Sequence, residues 1–177
     1  MIAYGEEIDF KLSLLSPSSV ELLGDFDCGN GVINDYLKKD SCGDGGCVTY
    51  LVVDKATRKI IGFASLACSG IHYCIGSYRH TLPAIEIKYF AITSGLHKLP
   101  QDRKEKHYYF SDRVLCELIR CCNDITERII GAEYIVLYSV PEAVSFYRRN
   151  GFKEYDKFMN SDNIRFLEGC TPMYLVL

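Results

Sequence analysis

Apolar residues recur along this chain with two periods, and the switches between them set out an order of elements. Ile8, Phe10, Leu12 and Leu14 alternate with polar residues and predict a first strand over 8–14. Pro17 and the neighbouring serines interrupt it. Over 30–40, Val32 or Ile33 shares a face with Tyr36 and Leu37, and lysines gather toward the end, so an amphipathic helix is expected. The glycine-rich stretch 41–47 reads as a flexible connection. Residues 48–54 and 60–67, on either side of a polar turn, read as a central antiparallel hairpin.

Residues 70–83 look like a less regular connection carrying His72, Tyr73, Tyr78, Arg79 and His80. A strand over 84–92 is apolar on both faces near its end, which suits the middle of a sheet. Residues 95–107 are a polar excursion. From 111 to 130, Val114, Leu115, Leu118, Ile119, Cys122, Ile125 and Ile129 recur at helical spacing, with Ser111 as cap and Asp112 in the first turn. A buried strand over 134–138, a short helix from 141, and late strands over 153–159 and 171–177 complete the order β-α-β-β-β-α-β-α-β-β. The expectation is one mixed α/β domain over 1–177.

Composition narrows the function classes. A formal net charge of -3 gives no general pull toward nucleic acid, and the 13 tyrosines are scattered rather than gathered into a stacking platform. No apolar run approaches a membrane span, and the first ten residues lack a basic leader before an apolar core. The nine cysteines are odd in number, and Cys121 and Cys122 are adjacent in a predicted helix, so no disulfide framework is expected. Cys42 and Cys47 have no second pair to complete a zinc site, and no metal is expected. Cys68, Cys74 and Cys116 read as small buried or half-buried apolar residues of a reduced, cytoplasmic protein.

The densest stretch is S139-V-P-E-A-V-S-F-Y-R-R-N-G-F152. Ser139 can cap, Pro141 suits a first turn, and Glu142 puts negative charge at the positive helix end. Arg148 and Arg149 favour the last turn, and Asn150-Gly151 allows a left-handed exit. These rules account for a helix but not for Tyr147. His72, His80 and His97 have no partner at a fixed spacing, and neither Ser139 nor Cys116 has the oriented base that a nucleophile needs.

At P141-E-A-V-S-F-Y-R-R-N-G-F152 the chain resembles the GCN5-related N-acetyltransferase (GNAT) superfamily, and the likeness extends over most of its element order. D25-F-D-C-G-N-G-V-I-N-D-Y-L37 and T49-Y-L-V-V-D54 are similar to the acetyltransferases that act as toxins in toxin–antitoxin pairs. The resemblance implies a GNAT fold, with a mixed central β-sheet flanked by α-helices, that moves an acetyl group from acetyl-CoA to an amine. It places Tyr147 as the general acid for the departing thiolate and Glu86 as base or water-positioning residue. Strand 84–92 would splay from strand 134–138, so that Phe90, Ala91 and Ile92 meet the pantetheine arm. His107, Tyr108, Tyr109, Phe110, Ser111, Asp112 and Arg113 would hold the pyrophosphate at a helix start.

That last segment departs from the family pattern, Arg/Gln-x-x-Gly-x-Gly/Ala. Here H107-Y-Y-F-S-D112 puts Phe110 and Asp112 at the glycine positions, adding bulk and like charge beside an anion. Arg103, Lys104, Lys106 and Arg113 are the nearby cations. A catalytically impaired GNAT fold used for protein binding is therefore the competing expectation. The acceptors the resemblance implies are an amine-bearing small molecule, a peptide, a protein, or an aminoacyl-tRNA. An antitoxin protein and a homodimer are the implied protein partners.

Overall fold

Seven strands hydrogen-bond in the order β1-β2-β3-β4-β5-β7-β6. They are β1 (Phe10–Leu14), β2 (Val48–Asp54), β3 (Ile60–Ile75), β4 (Tyr78–Ile92), β5 (Tyr134–Ser139), β6 (Lys153–Glu154) and β7 (Thr171–Val176). The helices are α1 (Gly31–Asp35, continued by a π-turn over Tyr36–Asp40), α2 (Phe110–Arg128) and α3 (Val144–Arg149). The structure, a computed structural model, describes residues 8–101, 108–156, 159 and 169–177. The observed order is the one the apolar periods predict.

The chain divides into two compact units, Met1–Ser65 with Tyr89–Val114 and Leu66–Lys88 with Leu115–Leu177. In the first, β1 pairs antiparallel with β2, Phe10 opposite Asp54 through Leu14 opposite Tyr50. One of its clusters joins Leu23, Phe26, Tyr36, Leu37, Leu51 and Phe63, with Ile33 and Tyr89 packed against them. Ile33, rather than Val32, faces inward, and Val32 is 78% exposed. Asn30 sets this orientation, because its side chain accepts from the Val32 and Ile33 amides and so starts α1. Asp27 braces the entry by accepting from the Gly29 amide at 2.8 Å and from Asn34 Nδ2 at 2.7 Å. Those bonds, the Gly29 amide first, hold its carboxyl below the usual carboxylate value. A second cluster joins Phe10, Val52, Ile61, Ile92, Phe110 and Val114.

In the second unit β5 is the hub. It runs parallel to β4 over Ala84–Ile87 and antiparallel to β7 over its whole length. Ile71, Ala84, Val136, Met159 and Tyr174 form its cluster, and Ile135 and Val136 are fully buried. Such central strands need apolar residues on both faces, and I135-V-L137 supplies them.

Four expectations need correction. Residues 70–83 are not an irregular connection, since β3 continues to Ile75 and β4 begins at Tyr78 across a two-residue turn. Gly76 has φ +61° there, as a tight hairpin turn of the right twist requires. Ser111 does not cap α2, because its hydroxyl donates to the His97 carbonyl and the helix begins one residue earlier. Ser139 does not cap the turn that leads into α3, because it ends β5 and its hydroxyl donates to the Val140 carbonyl. Cys68, Cys74 and Cys116 are exposed, as is Ile129 just beyond α2, while Cys28 and Cys122 are buried. Among the described residues no helix is long and apolar enough to cross a membrane.

Candidate active site

Tyr147 is held by the way α3 ends. Pro141 opens a short 3-10 turn with Glu142 in it, and α3 follows to Arg149. Gly151 has φ +89°, and its amide bonds back to the Arg148 carbonyl at 3.1 Å. The Phe152 amide bonds to the Tyr147 carbonyl, also at 3.1 Å. These two bonds are a Schellman ending, in which the residue after the left-handed glycine packs on the third from the helix end. Here that pair is Phe152 on Tyr147, with ring centroids 5.6 Å apart. The exit glycine therefore fixes the tyrosine. Tyr147 is 8% exposed, and burial pushes its phenol well above the ordinary range, so it keeps its proton at neutral pH.

Glu86 lies in the β4–β5 ladder opposite Val136 and is buried rather than half-exposed, as a lone carboxylate on a strand would suggest. The ladder ends one pair later, at Ile87–Leu137, although β5 continues to Ser139 and keeps pairing with β7. Near it is a residue that sequence reasoning passed over. The Tyr155 hydroxyl is buried, and burial, then Tyr138, then Glu86 push its phenol up. Only the Y-D sequence at 155–156 hinted at it, and that carries no periodic signal.

In the first unit, Ala91 and Ile92 are buried and Phe90 is half-buried. His97 Nε2 hydrogen-bonds to the Ile92 carbonyl, and the Thr93 amide to the Ile61 carbonyl. His107 lies outside the described residues, as do Arg103, Lys104 and Lys106. The remaining loop residues are well placed but inwardly engaged. Asp112, 2% exposed, accepts from the Tyr109 amide at 2.7 Å, and so acts as the acid half of a capping box. The Phe110 amide donates to the Leu99 carbonyl at 2.8 Å, and the Asp112 and Arg113 amides donate to the Tyr109 carbonyl. Pro100 and Tyr109 form an isolated bridge, and the Gln101 amide donates to the Tyr108 carbonyl, so the stem of the polar excursion is tied to the helix start. Arg113 donates to Gln101 Oε1 at 3.1 Å and lies 5.1 Å over the Phe10 ring. Phe110 is fully buried against Phe10, with centroids 5.5 Å apart.

A helix start binds anions through unpaired amides. At α2 those of Tyr109 and Phe110 already have acceptors, one of them a carboxylate. An acyl-CoA diphosphate would need the Asp112 side chain to turn away or would take its contacts elsewhere. Among the described residues no group of three or more His, Cys, Asp or Glu could hold a metal ion.

No protein-family model matches the sequence, and no curated protein matches it in sequence. Solved structures do match in fold. AtaT complexed with acetyl-methionyl-tRNAfMet is 15% identical at a TM-score of 0.70, over 95% of this chain and 95% of that one. AtaTR bound with AcCoA is 16% identical at a TM-score of 0.66, over 95% and 93%. A tyrosine-to-phenylalanine mutant of the toxin AtaT, bound to the C-terminus of the antitoxin AtaR, is 14% identical at a TM-score of 0.69, over 95% and 93%. With its mixed seven-stranded sheet and its strand–helix–strand around Tyr147, the chain has the GNAT fold that these structures share.

Proposed function

We propose that this protein transfers an acetyl group from acetyl-CoA to the amino group of an aminoacyl-tRNA. The observation that carries the reading is the likeness to AtaT over nearly the full length of both chains, since AtaT has been solved with an acetylated methionyl-tRNA and AtaTR with AcCoA. The neutral amine attacks the thioester carbonyl carbon, forming the C–N bond as the C–S bond breaks. Tyr147, a phenol kept neutral by burial, gives its proton to the leaving thiolate sulfur. The proton lost by the amine passes to Glu86 or to water, and solvent returns one to Tyr147. Phe90, Ala91 and Ile92 would meet the pantetheine arm, and the diphosphate would meet the start of α2 at Tyr108, Tyr109, Ser111 and Arg113 once the Asp112 side chain turns away from the Tyr109 amide.

A cytoplasmic location suits that acceptor, and an antitoxin protein is the partner the reading assigns. A homodimer accompanies it as the expected assembly. Small amines, peptides and protein lysines are the competing acceptors.

The Asp112–Tyr109 bond favours a second reading, a GNAT fold that no longer binds acetyl-CoA and serves as a protein-binding module. Calorimetric titration of the folded protein with acetyl-CoA separates the two. Saturable binding is expected. Its absence would leave the binding module.

A further inference from the structure

The β3–β4 ribbon has no assigned role. β3 and β4 run for 16 and 15 residues, far beyond the ordinary strand of about 5–6. The Gly76–Ser77 turn sets Ile75 opposite Tyr78, and therefore Tyr73 opposite His80 and His72 opposite Thr81. Two contacts agree with that register. The Tyr73 and His80 rings stack at 5.1 Å between centroids and 20° between planes, and His72 Nδ1 bonds to the Thr81 hydroxyl at 2.9 Å. Side chains alternate along a strand, so Ile75 and Tyr78 extend the face of the Tyr73–His80 stack toward the tip. Tyr78 is 74% exposed and Ile75 60%. Arg79, exposed, falls on the opposite face with His72.

The charge of this element is one-sided. A chain with 23 acidic residues has no Asp or Glu between Asp54 and Glu86. A second copy of the ribbon would bring Arg79 no carboxylate, so self-association has no charge complement here. Flat aromatic and imidazole faces with a guanidinium and no carboxylate match unpaired nucleobases on a phosphate backbone.

We propose that the exposed tip of the β3–β4 ribbon binds the single-stranded end of an RNA, with bases stacking along Tyr73, His80 and Tyr78 on one face and the backbone passing over the ribbon's edge so that a phosphate meets Arg79 on the other. The inference rests on the aminoacyl-tRNA reading and names the surface that would recognise that acceptor. Although the tyrosines are scattered in sequence, the two-residue turn gathers two of them with a histidine on one face.

The test is fluorescence anisotropy of the full chain with an uncharged acceptor-stem hairpin RNA that ends in a single-stranded CCA. Wild type binds, Tyr78→Ala and the pair Tyr73→Ala/His80→Ala each weaken binding at least about fivefold, and Tyr78→Phe retains it. Arg79→Gln lowers the salt slope by about 1. Unchanged circular dichroism of the variants excludes unfolding as the cause. RNA affinity equal to wild type in the alanine variants overturns the inference, as does no RNA binding by protein that binds acetyl-CoA. It is also overturned if the same substitutions dissociate a protein complex in sedimentation and leave RNA binding intact. Acetylation of aminoacyl-tRNA with an unchanged KM in Tyr78→Ala removes the ribbon and leaves the acceptor reading. RNA bound through the ribbon, with no acetylated aminoacyl ester formed, keeps the ribbon and removes that reading.

Discussion

Replacing Asp112 tests how α2 begins and whether that beginning competes with a cosubstrate. Its carboxylate is buried and accepts a 2.7 Å bond from the Tyr109 amide at the positive end of a 19-residue helix. In Asp112→Ala the amide loses a charged acceptor and the helix loses a favourable end charge. A hydrogen bond to a charged group contributes roughly 1.5–3 kcal/mol, and Tyr109 is only half-buried, so its amide regains some water. The expected loss is therefore about 2 kcal/mol, a fall in Tm of about 4–8 °C for a chain of this size. Asp112→Asn keeps an acceptor oxygen and loses the charge, so its fall is about half as large. Differential scanning calorimetry measures both. If the carboxylate also opposes a diphosphate, removing its charge tightens acetyl-CoA binding, and the gain shrinks as salt screens the repulsion. A stability of Asp112→Ala equal to wild type refutes the cap, and no gain in acetyl-CoA affinity in Asp112→Asn refutes the competition.

Other substitutions check other parts of the account. Gly151→Ala meets only ordinary contact with Leu175 at 3.5 Å, so its cost comes from φ +89°, roughly 1–2 kcal/mol by chemical denaturation, with acetyl transfer falling as Tyr147 shifts. Thr49 and Ser65 share a buried 2.7 Å hydroxyl bond; Thr49→Val alone costs about 1–3 kcal/mol, and Thr49→Val/Ser65→Ala costs less than the sum of the two singles in a double-mutant cycle. Burial pushes the Cys122 thiol up to about 12, so mass spectrometry after iodoacetamide at neutral pH finds Cys68, Cys74 and Cys116 alkylated and Cys122 intact.

Among the described residues the element order was legible because the buried strands and α2 carry an apolar period, whereas β6, two exposed charged residues, carries none. I135-V-L137 could hardly be anything but a central strand, and the Asn-Gly exit at Gly151 announced the end of α3. The ribbon was not legible, because residues 70–83 mix histidine, tyrosine, arginine and proline on strands with mostly exposed tips. Exposure removes the alternation that burial imposes. Both serine caps failed for one reason: a hydroxyl can satisfy a carbonyl as readily as an amide, and local spacing does not say which will be near. The site was half legible. Tyr147 emerged from its motif, whereas the buried Tyr155 hydroxyl depends on chain segments brought together only by the fold, and the Asp112 cap, though local, starts from a tyrosine rather than a residue that advertises a helix start.

The most direct measurement incubates the protein with acetyl-CoA and aminoacyl-tRNA and weighs the aminoacyl ester by mass spectrometry. Wild type is expected to add one acetyl group to the amino nitrogen, and Tyr147→Phe, which keeps the packing on Phe152 and removes the acid, to lose at least about a hundredfold in rate. An unmodified ester from protein that binds acetyl-CoA contradicts the proposed acceptor, and a Tyr147→Phe rate equal to wild type contradicts the role given to that tyrosine.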